Sequence, residues 1–253
     1  MELIESIFKL KDHKTSFKKE VLAGLATFLT MAYIMVVNPA ILSETGMDFD
    51  SVFVATILAS FVACMLMGIL ANWPVALAPG MGLNAFFTYA VVFGMGFTWQ
   101  QALAAVLCSG ILFLLISISP LRAYLINAIP RSLKFGIGAG IGLFLAIIGL
   151  KNAGIVVDNP ATLVGLGDLK SAPVLLALLT LVLMIALDKL KIPGAIVISI
   201  LATTIIGMIV GVAQFQGIVS PIPSMSPTFM QLDFSALGSS LFLIVVFTIL
   251  FVD

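Results

Sequence analysis

An all-α polytopic membrane protein is the fold class predicted by three features of the chain. Of its 253 residues, 61% are hydrophobic and only 9% charged, with a mean hydropathy of +1.23. Apolar runs of about 20 residues, the length that crosses a bilayer as helix, recur along the whole sequence. The 12 basic residues also alternate between successive loops. With the N-terminus inside, Lys9, Lys11, Lys14, Lys18, Lys19, Arg122, Arg131, Lys134, Lys189 and Lys191 fall on the inner side. Only Lys151 and Lys170 fall outside, as the positive-inside rule requires of a correct parse. A formal net charge of zero argues against a nucleic-acid partner.

The elements follow in order. Residues 1–19 form a polar, lysine-rich tail with no cleavable signal peptide expected. Spans are predicted at 20–38, 51–71, 74–94, 99–119, 132–150, 172–188 and 193–213, with an eighth starting near 239. Asn38-Pro39 is expected to end the first span, Pro120 to follow the fourth, and Pro193-Gly194 to open the seventh. The segment 214–238, with Pro221, Pro223 and Pro227, reads as an irregular external loop. Cys64 and Cys108 both lie within spans, which suits packing and offers neither a disulfide framework nor metal spacing. The stretch 239–253 supplies part of an eighth span and stops at Asp253, so an incomplete chain is the expectation.

Span three carries the strongest local signal. Its run PVALAPGMGLNAFFTYAVVF places Pro79, Gly80, Gly82 and Asn84 at mid-membrane. So many helix-averse residues predict unwound backbone over Pro79–Asn84, and such backbone survives only where protein buries it or where it lines a polar cavity. Broken spans of this kind hold substrates and coupling ions in transporters. Asn84 can donate and accept at the edge of a planar heterocycle, and Phe86 or Phe87 could stack on one. The alternative is a kinked helix with Asn84 bonded across a helix interface. Asp253 is a carboxylate within a span, able to carry a proton or to accept a substrate N–H; at the end of the span it would instead sit at the interface. Gly136, Gly138, Gly140 and Gly142 fail the dinucleotide spacing and predict close helix packing. Thr27, Thr30, Tyr33 and Asn38 give the first span a polar content, and threonines there are expected to bond back to their own helix. His13, in the tail, has no partner at metal-ligand spacing.

The segments FKKEVLAGLATFLTMAYIMVVNPAIL, NWPVALAPGMGLNAFFTY and VVFTILFVD closely resemble the azaguanine-permease-like branch of the nucleobase:cation symporters, within the xanthine/uracil permease superfamily. The likeness runs over essentially the whole chain. It implies a fourteen-span fold of two inverted repeats, of which this chain holds the first seven-span repeat and the start of span eight. It implies a short extended segment in span three, matching Gly82, Leu83, Asn84, Ala85 and Phe86, as one wall of the substrate site. Asp253 matches the first of two span-eight aspartates and, by that resemblance, would bind substrate and couple protons. Residues 20–119 and 239–253 would belong to a core domain and 120–213 to a gate domain.

The function implied is uptake of the purine nucleobases hypoxanthine, guanine and adenine by proton symport, with core moving against gate. Purines, protons and the lipid bilayer are the expected partners, a homodimer is an admissible assembly, and no cofactor is expected. The location implied is the cell (plasma or inner) membrane, with the N-terminus cytoplasmic. Two alternatives stand beside this reading: a non-functional piece of such a permease, and an anion carrier of the same fold. The second is disfavoured because no Lys or Arg lies within the core spans. An enzyme is not expected, because the spans offer no cluster of catalytic polar groups at one depth.

Overall fold

A computed structural model describes residues 8–10, 12, 14–120, 130–160, 162–215, 217 and 221–252. The first span is two helices, α1 (Phe17–Met31) and α2 (Ile34–Ser43). The Ser16 hydroxyl caps α1 by accepting the Lys19 N–H at 3.4 Å. The break falls at Ala32-Tyr33, and the helix then runs through Pro39 to Ser43, so Asn38-Pro39 does not end the span as the sequence suggested. A proline forfeits one helical hydrogen bond. Full burial of Pro39 and the side-chain bonds of Asn38 offset that loss.

Helix α3 (Phe49–Leu70) starts where the Asp48 carboxylate accepts both the backbone N–H of Ser51 (2.8 Å) and its hydroxyl (2.7 Å). Residues 72–80 are outside any helix, with Asn72 in the left-handed region (φ +47), and span three resumes as α4 (Met81–Ala85), which winds directly into a π-helical segment, Phe86–Gly94. Helix α5 (Trp99–Ile118) opens on a reciprocal capping box between Thr98 and Gln101. The remaining helices are α6 (Arg131–Asn152), α7 (Ala172–Lys189), α8 (Ala195–Ile209) and α9 (Ser240–Val252). Five helical stretches are at least 18 residues long and apolar enough to cross a membrane: Phe17–Ser43, Phe49–Leu70, Trp99–Ile118, Phe135–Asn152 and Ala172–Lys189. Met81–Gly94, Ala195–Ile209 and Ser240–Val252 are shorter.

The all-α expectation needs one correction. Between α6 and α7, strands β1 (Val156–Asn159) and β2 (Leu163–Leu166) pair antiparallel, Val156 opposite Leu166 and Asn159 opposite Leu163. The β-branched Val156-Val157 pair and the turn-forming Asn159-Pro160 carry the signal for this hairpin.

The chain divides into two compact units. The first takes the described residues of Met1–Val36, Ile57–Ala78 and Ile147–Ile222. Here α7 and α8 pack as a helical pair, with the Thr180 hydroxyl donating to Thr203 at 2.9 Å. Gly194, at φ +79, precedes α8, and a Cβ there would come within 3.2 Å of Leu29 on α1, so both backbone and packing favour glycine.

The second unit takes the described residues of Val37–Thr56, Pro79–Ala146 and Pro223–Asp253. Its core sets Phe242, Val245, Val246 and Ile249 of α9 beside Ala102, Ala104 and Ala105 of α5, with Phe87 and Val91. Small residues on α5 let the bulky face of α9 approach closely, as in membrane helix pairs generally. Among the described residues, a Cβ added at Gly136, Gly138, Gly140 or Gly142 of α6 meets nothing within 4 Å, so the close packing expected of these glycines is not seen there. Large apolar side chains such as Leu115, Ile118 and Phe135 are exposed on the helix surfaces, as suits helices long and apolar enough to cross a bilayer.

The loop before α9 is tied down inside this unit. The Ser51 hydroxyl reaches the Ser224 carbonyl at 2.9 Å, the Asp233 N–H donates to Gln100 O at 3.3 Å, and the Gln101 side-chain amide donates to Ser235 at 3.0 Å. Ser51 holds the Asp48 carboxyl below its ordinary value, chiefly through its hydroxyl, and Ser235 lowers that of Asp233, chiefly through its N–H. A carboxylate with a lowered folded pKa adds stability above its unfolded pKa and loses it as pH falls through the folded value. Opening of 223–239, read as amide exchange relative to the intrinsic rate at each pH, is therefore expected to stay flat down to about pH 4 and to rise only below it. A rise already between pH 7 and 5 would show that these carboxylates do not hold the loop.

Candidate functional site

The sequence placed the unwinding over Pro79–Asn84; the structure moves it upstream, to residues 72–80, and makes Met81–Asn84 helical. Proline biases the preceding residue toward extended backbone, so Pro74 and Pro79 keep the stretch before each of them unwound. Gly80 then serves as the helix N-cap, at φ −77 and ψ 115. Its carbonyl accepts the N–H groups of both Leu83 and Asn84 at 3.1 Å. The first-turn N–H groups of Met81 and Gly82 have no acceptor within the helix, which gives this restart a partial positive charge. Among the described residues, a Cβ added at Gly80 would meet nothing within 4 Å, so space lies open there over the N-cap.

Gly82, Leu83, Asn84 and Ala85 thus share one helical turn, with Phe86 next. Ala85 is fully buried, while Leu83 and Phe86 are partly buried against the core. Phe87 lies inside that core, which makes it a packing residue rather than a stacking platform. Asp253, given the proton-coupling role above, lies outside the described residues, as does His13.

Asn84 does not stand alone. Its side-chain Nδ2 donates to Oδ1 of Asn38, which is 96% buried on α2. Asn38 Nδ2 donates to the Thr56 hydroxyl on α3 at 2.6 Å, and that hydroxyl donates to the Val52 carbonyl at 2.7 Å. Two further ties follow outward: Thr88 Oγ1 donates to Ile41 O at 3.2 Å, and the Tyr89 hydroxyl to the Glu44 carboxylate at 2.9 Å. Partners 38, 41 and 44 advance together with 84, 88 and 89, so α2 and the restarted span three run parallel. First and third crossings of an alternating chain must do so.

Sequence reasoning weighed Asn38 only as part of a polar stripe on the first span and passed over Thr56. A usable signal was present, because Asn38 and Asn84 are both amides within apolar spans, and such residues tend to bond across helices. Thr27 and Thr30 behave as expected, donating to Ala23 O (3.0 Å) and Thr27 O (2.7 Å).

Within the first unit, the extended backbone is partly satisfied by Cys64, whose sulfur accepts the Leu77 N–H at 3.1 Å and donates to the Leu77 carbonyl at 3.3 Å. Cys64 is thus a backbone clip as well as a packing residue. A cavity of about 1070 Å³ lies in the same unit, lined by Glu20, Thr27, Phe28, Ser60, Cys64 and Asn72 among others.

Apolar helices in series, with one crossing unwound over residues 72–80 and its restart braced by a buried polar chain, define a multi-pass membrane protein built as transporters are. A family profile described as "Permease family" matches residues 18–252, and the chain belongs to that family. The family is one of transport proteins rather than enzymes. It is similar to the adenine permease AdeP of Escherichia coli, 47% identical over 222 residues that cover 88% of this chain and 50% of that protein. The guanine/hypoxanthine permease PbuO of Bacillus subtilis is 48% identical over 212 residues, 83% of this chain and 49% of that one. PbuG, a second guanine/hypoxanthine permease of B. subtilis, is 43% identical over 261 residues, 98% of this chain and 59% of that one. The chain therefore spans roughly half the length of the curated relatives it matches.

Proposed function

We propose that this chain contributes one wall of a purine nucleobase site in a secondary transporter for hypoxanthine, guanine and adenine. The observation that carries the reading is the restart of span three. Open space over Gly80 among the described residues, first-turn N–H groups with no acceptor within their own helix and a braced Asn84 lie together there. A neutral purine needs directed hydrogen bonds in a dry pocket more than charge compensation, and this turn supplies donors and an amide without any cation. The names of the relatives, adenine and guanine/hypoxanthine permeases, support the same substrate class.

The finer parts of the proposal follow the family resemblance. The chain would be the first seven-span repeat and the start of span eight of a fourteen-span inverted-repeat carrier. Residues 20–119 and 239–253 would contribute to the core and 120–213 to the gate, in a cell membrane with the N-terminus cytoplasmic. Asp253 would couple protons, and alternating access would come from core moving against gate.

Uptake of radiolabelled hypoxanthine, guanine and adenine by cells expressing the complete carrier to which this chain contributes its wall tests this reading, with and without a protonophore. Saturable uptake that collapses with the proton gradient is the expected result. Uptake of none of the three would remove the substrate assignment; uptake indifferent to the protonophore would remove proton coupling alone.

A further inference from the structure

The polar chain behind Asn84 has a direction, and that direction selects what Asn84 offers a ligand. An amide's oxygen and nitrogen are interchangeable by shape, so only its hydrogen-bond partners decide which end faces where. Here the decision starts at the Val52 carbonyl, which can only accept. It takes the Thr56 proton, at 2.7 Å, leaving the Thr56 oxygen free to accept from Asn38 Nδ2, at 2.6 Å. Asn38 must then turn Oδ1 toward Asn84, and Asn84 must answer with Nδ2. Asn84 is left with its Oδ1, which makes no hydrogen bond among the described residues. Asn38 and Thr56 are buried, at 4% and 2% exposure, so water does not compete for these positions.

We propose that Thr56 and Asn38 are positioning residues that hold Asn84 with its side-chain oxygen toward the ligand. The site then accepts a hydrogen bond from a substrate N–H at this point and disfavours a ring nitrogen without hydrogen. The inference rests on the purine-site reading above and deepens it, because it sets the polarity of one contact. The opposite polarity would have Asn84 present two donors and would select the other edge of the heterocycle.

The test is uptake of labelled purine by cells expressing the complete carrier that contains this chain, with singly N-methylated purines and singly deaza purines as competitors. The first group lacks a donor, the second a ring acceptor. In the parent protein, one N-methyl isomer is expected to compete roughly 10- to 100-fold less well than the unmodified base. Thr56→Val removes the hydroxyl that sets the relay and is expected to shrink that ratio to within about threefold, with a raised KM. Thr56→Ser keeps the hydroxyl and is expected to keep the ratio. Membrane abundance is read alongside, since a merely structural role would lower uptake of every base together and leave the ratio alone. Thr56→Ala is read in the same way if the valine variant fails to reach the membrane.

The inference is overturned if either hydroxyl-deleted variant keeps the parent ratio while Asn84→Ala loses uptake. It is also overturned if the ratio that collapses is the one for a deaza purine. Unchanged uptake by Asn84→Ala would instead remove the site itself, and with it any role for the relay.

Discussion

Asn84→Ala is expected to lower purine uptake, as kcat/KM, by roughly 10- to 100-fold while leaving the protein in the membrane. The size follows from the chemistry of a dry site, where a buried polar group deprived of its partner loses about 1–3 kcal/mol. The substitution removes both the acceptor offered to the ligand and the donor that satisfies Asn38, so it strips the site and frees its brace. Insertion should survive, because the Asn38–Thr56 bond, the Thr88 tie to Ile41 and the Tyr89 tie to Glu44 remain. Kinetics for several purines measured against immunoblotted membrane abundance check this. Parent-like constants for all of them would take Asn84 out of the site.

Phe242→Ala is the substitution expected to cost most in stability. Phe242 is 1% exposed in the core of the second unit, among Val91, Ala105 and the residues around them. Truncating a buried phenylalanine costs about 3–5 kcal/mol where the alternative to burial is water. Lipid tails are as apolar as the core, so the transfer part of that cost shrinks while the cavity part remains. A loss near the lower end, about 3 kcal/mol, is expected. Phe251→Ala on the same helix, at 54% exposure, is the control and should change stability by less than about 0.5 kcal/mol. Thermal unfolding of the two variants in detergent separates them; equal melting temperatures would mean that α9 is not held by this core.

Much of the architecture was legible because a bilayer imposes strict rules on sequence. Apolar runs of the right length became helices in the predicted order, and the parallel course of α2 and span three agrees with the alternation of basic loops. The hairpin at 156–166 was missed because membrane reasoning treats what lies between spans as loop, although its β-branched residues and Asn-Pro turn are ordinary strand signals. Pro39 misled for a related reason. Proline removes one hydrogen bond wherever it falls, but only the surrounding packing decides whether the helix ends there.

Apolar patterning and helix-averse residues alone were enough to read the helical series and a backbone break in the third crossing. Those are local properties: hydrophobic length, missing N–H groups and helix-averse residues act within a few positions of themselves. Only the tertiary structure decided where the break lies, that Cys64 clips it, and that Asn84 is committed through Asn38 and Thr56 to the Val52 carbonyl. Residues 38, 56 and 84 are far apart in the chain, and a hydrogen bond is directional over about 3 Å. No periodicity along a sequence can encode which of two amide ends meets a partner on another helix. Packing brings the three residues together, and the Val52 carbonyl beneath them, which can only accept, then sets the direction of the rest.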